Sequence, residues 1–164
     1  FACHSFHYLE WLLGPIEKLF CSLSRAVDLG QGADSGVLLI LKTGGGAEIT
    51  LSIANHAYLG SGHRLEVYGD KGTIVLHNPT RDYASGFRLW SGRRPAKTLS
   101  PVVLPKEDLS RDGRISAVSA MLKEFAGSIR SGKPARPDFA DGLRVERLMQ
   151  AAQFSARAGK WVKV

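Results

Sequence analysis

The segment CHSFHYLEWLLG, residues 3–14, holds the side chains of this sequence that are best suited to chemistry: Cys3, His4 and His7. Imidazole titrates near pH ~6.5, so a histidine can accept or donate a proton during a reaction. Residues three apart share a helix face, and this spacing also suits zinc, but no fourth ligand is evident. The segment therefore predicts either proton transfer by a histidine or hydrogen-bonded histidines at a helix start, and we expect no metal.

These side chains are carried by a predicted helix over residues 4–13. Phe6, Leu9 and Leu12 recur at helical spacing along this stretch. Gly14 and the proline after it end the pattern, because glycine tolerates the left-handed cap and proline cannot continue the helical hydrogen bonds. The sequence thus predicts a short amphipathic helix that carries both histidines.

The middle of the chain predicts strands, because it alternates residues that favour pleated sheet with tight turns. The predicted strands are 16–27, 35–43, 47–55, 63–69, 73–78, 86–92 and 97–104. TGGGAE, residues 43–48, resembles a phosphate-binding loop, but a strand pattern follows it instead of a helix, so a hairpin turn is predicted. In DKG, residues 70–72, we expect Gly72 to supply the positive φ of a three-residue turn. Pro101 indicates an edge strand.

The C-terminal part predicts two helices. An apolar stripe runs through residues 115–132, and a second helix begins near Asp138 or Asp141 and ends at Gly159, with KWVKV as a last strand. Tightly connected strands pair antiparallel. The predicted fold is therefore α+β, a mainly antiparallel open-faced sheet with helices on one face, formed by residues 1–164 as one domain.

Bulk composition excludes several classes of protein. The chain has 164 residues, of which 44% are hydrophobic, and it contains no apolar run of the ~20 residues that span a bilayer. The net charge of +7 suits an anionic partner, but only residues 92–97 form a dense basic cluster, and they lack interleaved aromatics. We therefore expect neither membrane nor nucleic-acid binding. Two cysteines do not form a disulfide framework, which indicates the cytoplasm.

Three phrases resemble a known family when they are taken together: the opening segment, VYGDKGTIVL at residues 67–76, and DGLRVERLMQAAQFSARAGKWVKV at residues 141–164. They are similar, in order and spacing, to the C-terminal domain of the glucose-fructose oxidoreductase, inositol dehydrogenase and rhizopine-catabolism family. The resemblance covers nearly the whole chain. It implies a separate N-terminal Rossmann domain that binds NAD or NADP, and a C-terminal domain that supplies the substrate pocket and a sheet for oligomer contacts.

The resemblance also assigns the histidines. Residues 11–14 match the WLxG helix end of the family, which places the family's catalytic histidine at His4. The family's partner aspartate would precede Phe1, and its catalytic lysine belongs to the nucleotide-binding domain. His7 replaces a second aspartate that is common in the family, so we assign His7 to packing or substrate contact instead of proton transfer.

We therefore expect the C-terminal domain of an NAD(P)-dependent dehydrogenase that acts on a sugar, a polyol or a related hydroxyl compound. The chain contains no unit in which a strand is followed by Gly-x-Gly-x-x-Gly and then by a helix, which is the unit that binds dinucleotides. We therefore expect the chain to be inactive alone and to be part of a longer protein. Its apolar stretches 38–41 and 51–53 suit a sheet face covered by another subunit. The alternative is a non-catalytic assembly or ligand-binding module. Asn55, His56 and Tyr58 suit either a sugar pocket or a solvated loop.

Overall fold

The computed structural model of this chain describes residues 2–25, 34–80, 82, 84–106 and 112–164. These residues form three helices and eight strands. In chain order, the elements are α1 Ala2–Leu13, β1 Ile16–Ser24, β2 Gly36–Thr43, β3 Glu48–Ala54, β4 His63–Gly69, β5 Gly72–Asn78, β6 Arg88–Arg93, β7 Ser100–Val102, α2 Arg114–Ser131, α3 Phe139–Ala158 and β8 Val162–Lys163. They are divided between two compact units, Phe1–Tyr58 with Arg136–Val164, and Leu59–Ala135.

The first unit contains an antiparallel sheet in the order β3, β2, β1, β8. Strand β2 shows how sequence alternation sorts the two faces, because successive side chains of a strand point to opposite sides. Leu39 and Leu41 are fully buried, whereas Leu38 and Ile40 are 51% and 36% exposed. Leu39 lies opposite Cys21 on β1 in the strand register, and Cys21 is also buried. One face of this sheet therefore forms a core, and the other is open.

Helices α1 and α3 complete the core of the first unit. Helix α1 ends where Gly14 takes a φ of +87° and donates its N–H to the Glu10 carbonyl, as its glycine and the following proline predict. Helix α3 starts at a capping box, in which the Asp138 carboxylate accepts the Ala140 and Asp141 N–H groups and Asp141 accepts the Asp138 N–H in return. Gly159, with a φ of +62°, ends α3.

A serine joins α3 to the central strand of the first unit. The hydroxyl of Ser155, which is fully buried, accepts the Cys21 backbone N–H at 3.0 Å and donates to the Lys160 carbonyl at 2.6 Å. Leu148 and Ala152 lie on the same helix and are buried as well. Helix α3 is thus held to the sheet by apolar packing and by directional hydrogen bonds.

The second unit is an antiparallel meander with the strand order β4, β5, β6, β7, together with α2. Pro101 lies on β7 and pairs with Trp90 of β6. Because β7 is the last strand of this sheet, the predicted edge position is confirmed. Asn78, at the end of β5, is 1% exposed, and its amide donates to the carbonyls of Asp82 and Ser85. These bonds fix the connection that follows β5.

The α+β class and the antiparallel pairing are confirmed, while the strands are distributed over two sheets. Each predicted strand is present within a few residues of its expected bounds, except that the predicted end of the first, residues 26–27, lies outside the described residues. The TGGGAE segment is a hairpin turn as predicted, and Thr43 donates its N–H to Ala47. The expected role of Gly72 is wrong, because Gly72 pairs with Gly69 across a two-residue turn and has no positive φ.

Gly72 is required for a different reason: a Cβ at this position would collide with the backbone of Gly92 on the neighbouring strand.

Helix α2 is present as predicted, with Gly132 at φ +68° as its cap. Its apolar stripe is not buried in the described structure, because the side chains are between 48% and 69% exposed. These side chains are Ile115, Val118, Met121, Leu122, Phe125 and Ile129.

Candidate functional site

Helix α1 presents two different faces, and His4 is on the outer one. Phe6 and Leu9 are 0% and 2% exposed and belong to the core of the first unit. His4 is exposed, and Trp11, seven residues further along, is 80% exposed. Two turns of an α-helix span about seven residues, so His4 and Trp11 lie above one another on the surface that faces away from the sheet. The helix therefore offers the His4 imidazole to whatever approaches this surface.

His7 lies on the same helix, at the side of α1 that faces the start of α3, and is half-buried. The Asp138 backbone N–H holds the pKa of the Asp141 carboxyl below its usual value, and the Arg136 guanidinium and the charge of His7 lower it further. Both Asp138 and Asp141 belong to the capping box of α3. His7 therefore lies within electrostatic reach of the capping box of α3, and both packing and substrate contact remain predictions for this residue.

An ion pair fixes the last turn of α1. The Arg144 guanidinium of α3 contacts the Glu10 carboxylate, with Nη2 2.8 Å and Nε 3.1 Å from Oε1. The same oxygen accepts the Ile16 backbone N–H at 2.8 Å, and Arg144 also donates to the Ile16 carbonyl. The Glu10 side chain is 16% exposed, and the Arg144 side chain is 29% exposed. Three elements, α1, β1 and α3, therefore meet at one partly buried and hydrogen-bonded charge pair.

The sequence gives no local signal for this ion pair. Glu10 and Arg144 are separated by 134 positions, and each alone resembles an ordinary charged residue on a helix. By contrast, His4 and His7 are one turn apart on one helix, so their proximity follows from the sequence alone.

Of the polar residues after β3, Tyr58 is 91% exposed and the ring of His56 contacts the Ser35 carbonyl at 3.2 Å. Neither lines a cavity that the first unit forms among α1, α3 and strands β1–β3.

That cavity has a volume of about 300 Å³ and lies on the sheet side of α1, not on the His4 side. Phe6, Leu39 and Ile53 contribute apolar walls, while Asn55 and Asp34 contribute polar ones. His4 and His7 are not among its lining residues. The cavity and the exposed imidazole therefore occupy opposite sides of the helix.

The thiol of Cys21 lines the cavity, and its surroundings suppress its reactivity. Burial, and then the negative charge of Asp34, raise the pKa of Cys21 from its ordinary value of 9.0 to about 11. Cys3 is a half-buried free thiol on α1. Since the thiolate is the nucleophile, only about one Cys21 in a thousand is reactive at pH ~8.

We therefore expect iodoacetamide to alkylate Cys3 first. The Cys21 rate is expected to rise about tenfold per pH unit up to pH ~11, because the thiolate fraction rises in that proportion. Peptide mass spectrometry after timed alkylation measures both rates in one sample. A Cys21 rate that equals the Cys3 rate at pH ~8, or that levels off near pH ~9, would contradict this expectation.

Metal ions, dinucleotides and membranes each require a particular local structure from the residues that bind them. No three His, Cys, Asp or Glu side chains in this part of the chain are grouped so that they could hold a metal ion. The described glycine-rich turn, residues 43–46, joins β2 to β3 and does not lead into a helix. It therefore does not fit a dinucleotide pyrophosphate, which binds at a helix N-terminus. Over the same described residues, no helix is both long and apolar enough to cross a membrane.

Comparison with protein families identifies the chain over its whole length. Residues 1–164 match the model of the oxidoreductase family, C-terminal alpha/beta domain. An uncharacterized oxidoreductase of Synechocystis sp. is 30% identical over 178 residues, which cover 99% of this chain and 48% of that protein. The chain thus spans about half the length of this curated relative.

Solved structures share the fold. A levoglucosan dehydrogenase in complex with NADH matches 99% of this chain with a TM-score of 0.82 and 21% identity, over 48% of its own length. An aldose-aldose oxidoreductase from Caulobacter crescentus, in complex with glycerol, matches 99% with a TM-score of 0.80 and 19% identity, over 46% of its length. An oxidoreductase from Agrobacterium radiobacter, with NAD+, L-tartaric acid and magnesium, matches 98% with a TM-score of 0.78 and 22% identity, over 47% of its length.

Proposed function

Since this chain belongs to the oxidoreductase family as a C-terminal alpha/beta domain, we propose that it is the substrate-binding half of an NAD(P)-dependent dehydrogenase. The substrate is a sugar, a polyol or a related hydroxyl compound. Support comes from the structural relatives, which include a levoglucosan dehydrogenase and an aldose-aldose oxidoreductase. The other half of the enzyme is a nucleotide-binding domain, in keeping with relatives that are about twice as long as this chain.

The observation that carries this proposal is the exposed His4 on a helix whose opposite face is fixed in a core. Oxidation of an alcohol needs a group that accepts the hydroxyl proton, and imidazole does this near neutral pH. His4 accepts that proton at a ring nitrogen in the oxidation direction and returns it in the reduction direction. The nicotinamide cofactor supplies the hydride acceptor when bound.

We place the cofactor on the nucleotide-binding domain, because the glycine-rich turn 43–46 of this chain leads into a strand instead of a helix. We therefore expect no saturable NADH binding when the 164-residue chain is titrated and NADH fluorescence is followed. The complete enzyme, titrated alongside as a control, is expected to bind. Micromolar affinity of the chain alone would contradict this division of roles.

The substrate class is then identified with the complete enzyme, by following the absorbance of the reduced cofactor at 340 nm over a panel of sugars and polyols.

The open face of the first sheet is proposed to bind a second copy of the protein. Leu38 and Ile40 are exposed there, and Phe20 and Trp161 pack against each other with ring centroids 6.0 Å apart at its β8 edge. Apolar patches of this kind mark interfaces. A Leu38→Lys variant is expected to dissociate in sedimentation velocity, and Leu12→Lys, on α1, is the matched control. An unchanged sedimentation coefficient for Leu38→Lys would contradict the assignment.

The exposed apolar face also supports the second candidate, a non-catalytic assembly module. Association of the chain is expected under both candidates, so only activity separates them. We place the protein in the cytoplasm, and the two free thiols, Cys3 and Cys21, support this location.

A further inference from the structure

The contacts that hold α1 differ in how they constrain it. Phe6 and Leu9 anchor the helix by burial, and burial is non-directional, so it resists removal of the helix more than rotation about its axis. The pair between Glu10 and Arg144 is directional, because a guanidinium presents its N–H groups in a fixed planar fork. Glu10 is also tied to the backbone of Ile16, which belongs to the sheet. The carboxylate is therefore fixed from two sides.

The rotation of α1 matters because His4 lies on its outer surface. Side-chain tips of an α-helix lie about 5–6 Å from its axis, so a rotation of about 10° moves the tip by about 1 Å. A displacement of about 1 Å at a reacting group can reduce the rate by about 100-fold. A small rotation would therefore leave the core of the first unit packed and still misplace the imidazole.

We propose that Arg144 is a positioning residue for His4. By holding the Glu10 carboxylate, Arg144 fixes the rotation of α1 about its own axis and thereby the direction of the His4 imidazole. Its kinetic consequence rests on the proposed function, because it requires that His4 takes part in the reaction. The geometric part does not depend on the function.

The kinetic test uses the complete enzyme with Arg144→Met. We expect kcat per folded enzyme to fall about 10- to 100-fold, with the substrate KM within about threefold of the wild-type value. Arg144→Lys keeps the charge but loses the planar fork, so it is expected to recover only a small part of kcat. Arg147→Met, which removes an exposed arginine one turn further along α3, is the matched control and is expected to retain kcat. A wild-type kcat for Arg144→Met, or full recovery by Arg144→Lys, would overturn the proposal.

The geometric test uses residual dipolar couplings of the α1 amides in the complete enzyme. These couplings vary with the helix period, and the phase of that variation reports the rotation of the helix. Arg144→Met is expected to shift the phase by about 10° or more, or to abolish the pattern, whereas Arg147→Met preserves it. An unchanged phase in Arg144→Met would overturn the positioning role. A shifted phase in an enzyme whose turnover does not depend on His4 would instead reject only the proposed function.

Discussion

The complete enzyme with His4→Asn is expected to lose turnover by about 10²- to 10⁴-fold, because general-base catalysis contributes about that much. Asparagine retains polarity and approximate size but cannot accept a proton at neutral pH. His4 is exposed on the outer face of α1, so the substitution is expected to leave the free energy of unfolding within about 0.5 kcal/mol of the wild-type value. Steady-state kinetics at saturating cofactor and urea denaturation measure the two quantities.

His7→Asn is the matched control, since His7 is one turn away on the same helix and has no assigned role in proton transfer. Because the predicted substrate contact of His7 would affect mainly KM, its kcat is expected to stay within about tenfold of the wild-type value. If the domain is instead a non-catalytic assembly module, the complete enzyme with His4→Asn would associate normally and would also keep its turnover. Unchanged turnover in His4→Asn would remove catalysis from this residue.

The largest effect on stability is expected from Phe6→Ala. Phe6 is fully buried between α1 and the core of the first unit, and truncating a buried phenylalanine costs about 3–5 kcal/mol. It also borders the cavity of about 300 Å³, so the deletion enlarges an existing void. The loss would loosen the helix that carries His4.

Urea denaturation followed by the fluorescence of Trp161 measures this effect. Replacing Trp11 and Trp90 with phenylalanine leaves Trp161, at the end of the first unit, as the reporter. Leu12→Ala is the matched control, because Leu12 lies on the same helix and is 47% exposed. It is expected to cost less than about 1 kcal/mol. A loss below about 1 kcal/mol for Phe6→Ala would show that α1 is not anchored by this side chain.

The parts of the fold that could be predicted from the sequence are those set by local chemistry. Gly14 and Gly159 end their helices through positive φ, and Asp138 starts α3, because each acts on backbone groups within four residues. The strands and the edge position of Pro101 follow from alternation and from the missing proline N–H. These features need no knowledge of the tertiary structure.

The parts that could not be predicted depend on residues far apart in the chain. The sequence alone predicts the wrong role for Gly72, because this glycine is required by the close approach of Gly92 from the neighbouring strand and not by its own φ. The contact between Glu10 and Arg144 bridges 134 positions and has no periodic signature. The candidate site shows the same division: His4 is proposed from its motif, whereas the ion pair between Glu10 and Arg144 is visible only in the fold.

Whether the imidazole of His4 accepts the hydroxyl proton is decided by chemical rescue. In the complete His4→Ala enzyme, added imidazole can occupy the vacated space and take over proton transfer. Turnover is expected to rise with the concentration of imidazole base and with the pKa of substituted imidazoles, while NADH affinity stays constant. Turnover that does not respond to imidazole in an enzyme that still binds NADH, or a His4→Ala enzyme as active as the wild type, would contradict proton transfer by His4.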